Sequence, residues 1–71
     1  MRVSARNCIP GTVTRVKTGP VSAEVTLNVA PGIDIVSVIS ATSAANMKLA
    51  AGMRGYAVIK ASSVMVGTDH D

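Results

Sequence analysis

The chain has a single aromatic residue, Tyr56, and contains neither phenylalanine nor tryptophan. Its 71 residues make one domain, and a domain of this size buries only about 60% of the surface that its unfolded chain exposes. The core must therefore be built from Val, Ile, Leu, Ala and Met side chains. Packing in so small a core rarely contributes more than ~3–5 kcal/mol, so we expect the chain to need a further source of stability.

Two common supplements of small domains, disulfides and metal sites, are not predicted. The single cysteine, Cys8, excludes an intrachain disulfide and favours a reducing compartment. The single histidine, His70, lies in a polar tail, so a Cys/His metal site is not expected. Association of several copies is the supplement that remains.

The charge of the chain favours an anionic partner. Seven Lys and Arg residues stand against four acids, and two of those acids, Asp69 and Asp71, lie in the last three residues. The body up to Gly67 therefore carries a net charge of +5.

Residues 1–10 lack the apolar segment of a signal peptide, and no stretch reaches the roughly 18 apolar residues of a membrane span. We expect a cytoplasmic protein, and Met1 with the charged tail favours a complete one.

Alternation of apolar and polar residues predicts strands along most of the chain. Three strands are predicted in its first half: residues 11–19, 21–30 and 33–40. Turn signals at Gly19-Pro20 and Pro31-Gly32 separate them. In the second strand, four alternate apolar residues share one face: Ala23, Val25, Leu27 and Val29. The third strand is almost wholly apolar and β-branched, which predicts that other parts of the protein pack against both of its faces.

The composition then changes to good helix formers. Residues 41–53 are rich in Ala, Met, Lys and Leu and end near Gly52. This predicts one or two helical turns, with Thr42 or Ser43 as the N-cap.

The remaining residues return to a strand pattern. Residues 54–67 predict strand structure broken near Ser62, and residues 68–71 form a solvated polar tail. Five short strands, with one short helix between the third and fourth, predict an all-β fold of the OB-like barrel type. Residues 1–67 would form it as a single domain.

Three polar spots interrupt the apolar pattern, and each has an ordinary structural explanation. Ser4, Arg6 and Asn7 could belong to a solvated N-terminal strand. Lys60 stands inside a run of Val, Ile and Ala, where a lysine could block mispairing at a sheet edge.

The third spot is the pair Ser40 and Ser43, at the predicted helix start. Serine in this position commonly caps a helix. The same position can favour an anion, because the first N–H groups of a helix are free and carry partial positive charge.

Together the three spots have a chemical character that suits a small oxyanion. They supply cations, hydroxyls and backbone N–H groups, and none supplies a carboxylate. An oxyanion is held by positive charge and several directed donors. Catalysis lacks a candidate base or an activated nucleophile, because His70 is in the tail and Cys8 has no evident partner. Enzyme activity is therefore not predicted.

The residues at these spots resemble a known family. "SARN" near the start, "VISATSAANMKLAAG" in the middle and "YAVIKASSVMV" near the end are similar to the molbindin, or Mop, domain of the TOBE group of molybdate-binding proteins. The resemblance runs from Val3 to Val66. It implies an OB-like five-stranded barrel that assembles as a homohexamer. It also implies molybdate or tungstate bound between subunits, for intracellular storage or buffering.

The resemblance also implies which residues contact the anion. One subunit would contribute Ser4, Arg6, Lys60, Ala61 and Ser62, and a neighbouring subunit would contribute Ser40 and Ser43. Asn7 would position its strand. The turn Thr18–Val21 is a candidate for a further anion position near a symmetry axis. No ligand role is assigned to Cys8, Asn46 or Met47.

Two other functions stay open at this point. A basic OB-like barrel is a common oligonucleotide platform. Single-stranded nucleic acids, however, bind such barrels by stacking their bases on aromatic side chains. Tyr56 is the only aromatic residue in the sequence, so no nucleic-acid partner is expected. The second alternative is a purely structural oligomerisation module, or a regulatory domain separated from a transporter or transcription factor.

Overall fold

The computed structural model describes residues 2–69, which form one antiparallel sheet with a short helix attached. In chain order the elements are β1 (Asn7–Thr18), β2 (Ser22–Ala30), β3 (Ile33–Ser40), α1 (Ala41–Asn46), β4 (Arg54–Ile59) and a 3-10 turn (Ala61–Ser63). The strand order is β3-β2-β1-β4. β3 and β4 are therefore the outer strands, and no ladder joins them within residues 2–69.

β1 organises the sheet because its two halves pair with different neighbours. Its C-terminal part, from Thr12 to Thr18, pairs with β2, whereas its N-terminal part, from Asn7 to Thr12, pairs with β4. The two ladders are thus staggered along one long strand. This stagger carries the N-terminal end of β1, together with the C-terminal end of β4, away from the body of β2 and β3.

A bulge bends β1 at the point where its partners change. The register with β2 shifts at Thr14, and such a bulge bends a strand and increases its twist. The backbone of Val13 then bonds to the loop before β4. Its N–H donates to the Met53 carbonyl at 2.8 Å, and its carbonyl accepts from the Gly52 N–H at 2.7 Å. Gly52 has a φ of +95°, which favours glycine at this position.

The stagger also requires a close approach of two backbones at Gly11. A Cβ atom at this position would lie only 2.7 Å from the Asn28 carbonyl oxygen and 3.1 Å from Cγ1 of Val29. Glycine is the residue that allows this contact.

The core is small and wholly aliphatic. Its centre is formed by Val13, Val25 and Leu27, which are 1%, 3% and 5% exposed. Four partly buried side chains surround it: Val16, Val29, Ile39 and Leu49. The predicted apolar face of the second strand is confirmed, because Ala23, Val25 and Leu27 are buried and Val29 is half-buried.

The predicted helix lies between the third and fourth strands, but its limits differ from the prediction. α1 ends at Asn46 rather than near Gly52, because Lys48 adopts a φ of 54° and the chain turns Leu49 back onto the core. The N-cap is Ser40, not Thr42 or Ser43. No helix in residues 2–69 is long and apolar enough to cross a membrane.

Three strand predictions need correction. β1 begins at Asn7 rather than at residue 11. The predicted break near Ser62 is present as the 3-10 turn, but residues 64–69 form no fifth strand, so the sheet in this part of the chain is four-stranded and not closed. β3 is not covered on both faces, because Val36 and Val38 are 58% and 69% exposed. Met1, His70 and Asp71, and with them the end of the predicted tail, lie outside the described residues.

Candidate functional site

The first and last predicted anion contacts meet where the β1–β4 ladder ends. Its final pair joins Asn7 to Ile59, so Arg6 and Lys60 are the next residues in the same antiparallel register. Both side chains are exposed, and neither forms an ion pair with another residue in the range 2–69. Ser4 lies two residues before Arg6 and is also exposed. Two cations without a compensating acid are thus brought together at one end of the sheet.

The 3-10 turn follows Lys60 directly and holds Ala61 and Ser62 beside it. The turn is closed by a bond from the Ser63 N–H to the Lys60 carbonyl at 2.8 Å and a longer one from the Val64 N–H to the Ala61 carbonyl at 3.3 Å. The N–H groups of Ala61 and Ser62 take no part in these bonds. They are therefore available as donors in the turn that follows Lys60, together with the Ser62 hydroxyl.

The two serines at the start of α1 are hydrogen-bonded to each other. The Ser40 hydroxyl accepts from the Ser43 N–H at 3.0 Å and donates to the Ser43 hydroxyl at 2.8 Å. This bond uses one of the two hydroxyl protons, and the other remains free to donate. The Ala41 N–H donates to the Val21 carbonyl at 2.9 Å, which ties the start of the helix to the turn between β1 and β2. Both hydroxyls are exposed.

The serine pair lies at the opposite end of the sheet from Arg6 and Lys60. Ser40 is paired with Ser22 at the start of β2, beside the C-terminal end of β1. Arg6 precedes the N-terminal end of β1, a strand of 12 residues. At about 3.3 Å per residue, the two groups are separated by roughly 35 Å of strand. One chain therefore does not bring all the predicted contacts together.

Two further positions were predicted to have a role, Asn7 in positioning its strand and the turn Thr18–Val21 in binding a second anion. Asn7 is half-buried as the first residue of β1, which suits a positioning role. The turn Thr18–Val21 borders a shallow depression that Lys17 and Glu24 also line, and these two residues face each other across the β1–β2 ladder. An anion in this depression would meet the Glu24 carboxylate, so the geometry does not favour the turn as a further anion position.

The residues without an assigned ligand role are exposed on the surface: Cys8, Asn46 and Met47. Cys8 is a free thiol opposite Val58 in the β1–β4 ladder. No group of three or more His, Cys, Asp or Glu side chains within residues 2–69 is arranged to hold a metal ion.

An open apolar groove, which was not predicted from the sequence, is also present. It lies between the outer strands, has a volume of about 350 Å³, and includes Ile35 and Val36 of β3 and Tyr56 and Val58 of β4. The signal in the sequence was the two-faced apolar pattern of β3, which predicts cover that the single chain does not provide. Residues 64–66, outside any strand, add a second exposed apolar segment.

Comparison with known proteins gives a family for this arrangement. The family model of the TOBE domain matches residues 3–66. The molybdenum-pterin-binding protein MopA of Rhodobacter capsulatus is 46% identical over 71 residues, which are all of this chain and 27% of MopA. The chain thus spans about a quarter of the length of that relative.

Solved structures share the fold over a larger part of their length. MopII from Clostridium pasteurianum superimposes with a TM-score of 0.88 at 39% identity, over 94% of this chain and 100% of MopII. The cytoplasmic molybdate-binding protein ModG, solved with molybdate bound, gives a TM-score of 0.79 at 43% identity, over 86% of this chain and 43% of ModG. These names describe binding, which agrees with the prediction that the chain is not an enzyme. The chain belongs to the TOBE domain family and, within it, to the molbindin (Mop) group.

Proposed function

We propose that this protein binds molybdate, or tungstate in its place, at sites shared between copies of the chain in a homohexamer. The observation that carries the proposal is the register of the β1–β4 ladder, which makes Arg6 and Lys60 neighbours with no acid between them. The relatives include a molybdate-binding protein solved with its ligand, which supports this choice of anion.

The donor set fits a fully deprotonated tetrahedral dianion. Arg6 and Lys60 supply two positive charges, and hydrogen bonds to charged groups contribute roughly 1.5–3 kcal/mol each. The hydroxyls of Ser4 and Ser62 and the N–H groups of Ala61 and Ser62 supply neutral donors. Molybdate and tungstate carry no proton at neutral pH and can accept from every one of these groups.

The serines of a second copy would complete the site. Ser40 and Ser43 offer an outward hydroxyl donor, but they lie at the far end of their own sheet. A second copy can bring its serine pair to the Arg6 and Lys60 of the first. Binding and assembly would then support each other, because an anion that contacts both copies stabilises the interface.

Exposed apolar surface supports the assembly. The groove between β3 and β4 opens to solvent, while Val64, Met65 and Val66 are 50%, 93% and 89% exposed. Large exposed apolar patches commonly mark interaction sites. We propose that residues 64–66 of one copy lie in the groove of another as the fifth strand of its barrel. A strand antiparallel to β3 would also bring Ser62 towards the partner's Ser40.

The biological role follows from binding without catalysis. Residues 1–67 are proposed as the single molybdate-binding domain, with residues 68–71 as a polar tail. A protein that binds molybdate and lacks catalytic groups suits intracellular molybdenum storage and homeostasis. We propose a cytoplasmic location, because the related ModG is a cytoplasmic molybdate-binding protein.

Native mass spectrometry of the purified chain, with and without molybdate, tests the proposal. We expect an assembly of six 7.2 kDa chains whose mass rises by whole numbers of molybdate ions. Tungstate should add the same number of ions. A folded monomer that takes up no molybdate would overturn both the shared site and the function.

A further inference from the structure

Like charges occupy the two positions just beyond the end of the β1–β4 ladder, Arg6 on one side and Lys60 on the other. Pairing stops at Asn7 and Ile59, and one more step in the same register would set Arg6 against Lys60. Directly opposed residues of an antiparallel pair share a face, where like charges are destabilising. The chain leaves regular strand structure at this step on both sides.

Three acids lie within residues 2–69, and none of them forms an ion pair with Arg6 or Lys60: Glu24, Asp34 and Asp69. Glu24 faces Lys17 in the β1–β2 ladder. Asp34, near the start of β3, accepts a hydrogen bond at 3.0 Å from the side-chain amide of Asn28, its partner in the β2–β3 ladder. The Arg6 and Lys60 charges therefore meet each other without a local counter-charge from β2 or β3.

We propose that the Arg6–Lys60 pair is a charge-controlled end of the β1–β4 ladder, which opens when it holds no anion and closes when a dianion lies between the two side chains. This inference rests on the proposed function in taking molybdate as the anion. Without an anion, repulsion frays the ladder from Asn7 and Ile59 inwards. With one, both cations are neutralised, and residues 4–6 and 60–62 become ordered together.

The repulsion can be tested without molybdate, by amide hydrogen exchange at Asn7, Ile9 and Ile59. In the molybdate-free protein, raising sodium chloride from about 20 mM to about 500 mM shortens the Debye length from about 20 Å to about 4 Å. We expect exchange at these amides to slow by about two- to fivefold, as relief of one unfavourable cross-strand pair allows.

Two variants and a control identify the source of this effect. Arg6→Gln and Lys60→Gln should each slow exchange at the ladder end already at low salt, and each should abolish the salt response. Lys17→Gln, which removes a cation opposite Glu24, should leave exchange at the ladder end and its salt response unchanged. If both variants at the ladder end exchange as fast as the unmodified protein at low salt, the proposal is wrong.

The second part of the experiment measures amide exchange in the presence of saturating molybdate. Exchange at Asn7 and Ile59 should slow by about tenfold or more, the equivalent of one charge-assisted hydrogen bond, while the core amide of Val25 changes far less. If calorimetry shows binding but exchange at the ladder end is unaltered, the charge-controlled closure is refuted and the proposed function stands. If molybdate does not bind, the proposed function fails, and the salt comparison alone decides whether the repulsion exists.

Discussion

Replacing Gly11 with alanine tests whether the backbone crossing in β1 holds the sheet together. The new Cβ would lie 2.7 Å from the Asn28 carbonyl oxygen, whereas ordinary C···O contacts are about 3.3–3.6 Å. This oxygen belongs to the backbone of the paired strand, so β1 and β2 would have to separate by about 0.6 Å or more.

The expected cost can be worked out from two opposing effects. Forcing an extra methyl into a packed site costs roughly 1–3 kcal/mol. Alanine also restricts the unfolded chain, which returns about 0.4–1 kcal/mol. We therefore expect Gly11→Ala to lower the free energy of unfolding by about 1–2 kcal/mol, which for a domain of this size is a fall in Tm of roughly 4–16 °C.

Thermal unfolding followed by circular dichroism at one fixed protein concentration measures this change, because the Tm of an oligomer depends on concentration. Gly67→Ala is the matched control. A Cβ there meets nothing within 4 Å, so its Tm should be unchanged or slightly raised. An unaltered Tm for Gly11→Ala would refute the claim that this crossing requires glycine.

Three further predictions concern the proposed site. Lys60→Ala and Arg6→Ala should each weaken molybdate binding by about ten- to a hundredfold in calorimetry, whereas the control Lys17→Ala should have little effect. Equal losses of affinity in all three variants would indicate a diffuse basic surface. Ser40→Ala should cost about 0.5–2 kcal/mol in chemical denaturation because Ser40 is the N-cap, and Ser43→Ala should cost less stability; the reverse order would contradict the assigned cap. Phosphate should bind far more weakly than molybdate, because its protonated oxygen would face a donor of the site and find no acceptor. Single-stranded DNA should also bind weakly, because the chain lacks an aromatic platform for its bases. Nanomolar DNA binding without molybdate binding would favour the nucleic-acid alternative.

The sequence predicted the fold wherever one segment of chain determined its own structure. β3 occupies Ile33–Ser40, as its β-branched run indicates, and the apolar face of β2 alternates as expected. β1 was predicted to start at residue 11, whereas it starts at Asn7 and includes Pro10. β2 pairs with β1 only from Thr12 onward, so Pro10 lies in the part of β1 that has a single neighbouring strand. Its missing N–H is tolerated there.

The remaining differences arise where the fold depends on contacts between segments or copies. The apolar segment Val64 to Val66 has a strand-like composition, but it pairs with no strand within residues 2–69. The helix is capped by Ser40 because Ser40 ends β3 with an extended backbone and its hydroxyl reaches the Ser43 N–H. Composition alone could not choose among three nearby hydroxyl residues.

The nearness of Arg6 and Lys60 could be anticipated from the sequence, since the first and last strands of a small barrel commonly pair. The distance between them and Ser40 could not, because it depends on the register across all four strands. The open groove was also beyond prediction, because an apolar pattern does not say whether its cover comes from the same chain.

Mixing two defective variants tests most directly whether the molybdate site is shared between copies. One chain carries Lys60→Ala, and the other carries Ser40→Ala with Ser43→Ala. Each variant assembly alone should bind molybdate weakly. After dissociation and reassembly as an equal mixture, about a quarter of the interfaces would combine an intact Lys60 with an intact serine pair in a symmetric oligomer. Equilibrium dialysis should then recover about a quarter of the high-affinity sites of the unmodified protein. No recovery in assemblies shown by native mass spectrometry to contain both chains would contradict the shared site.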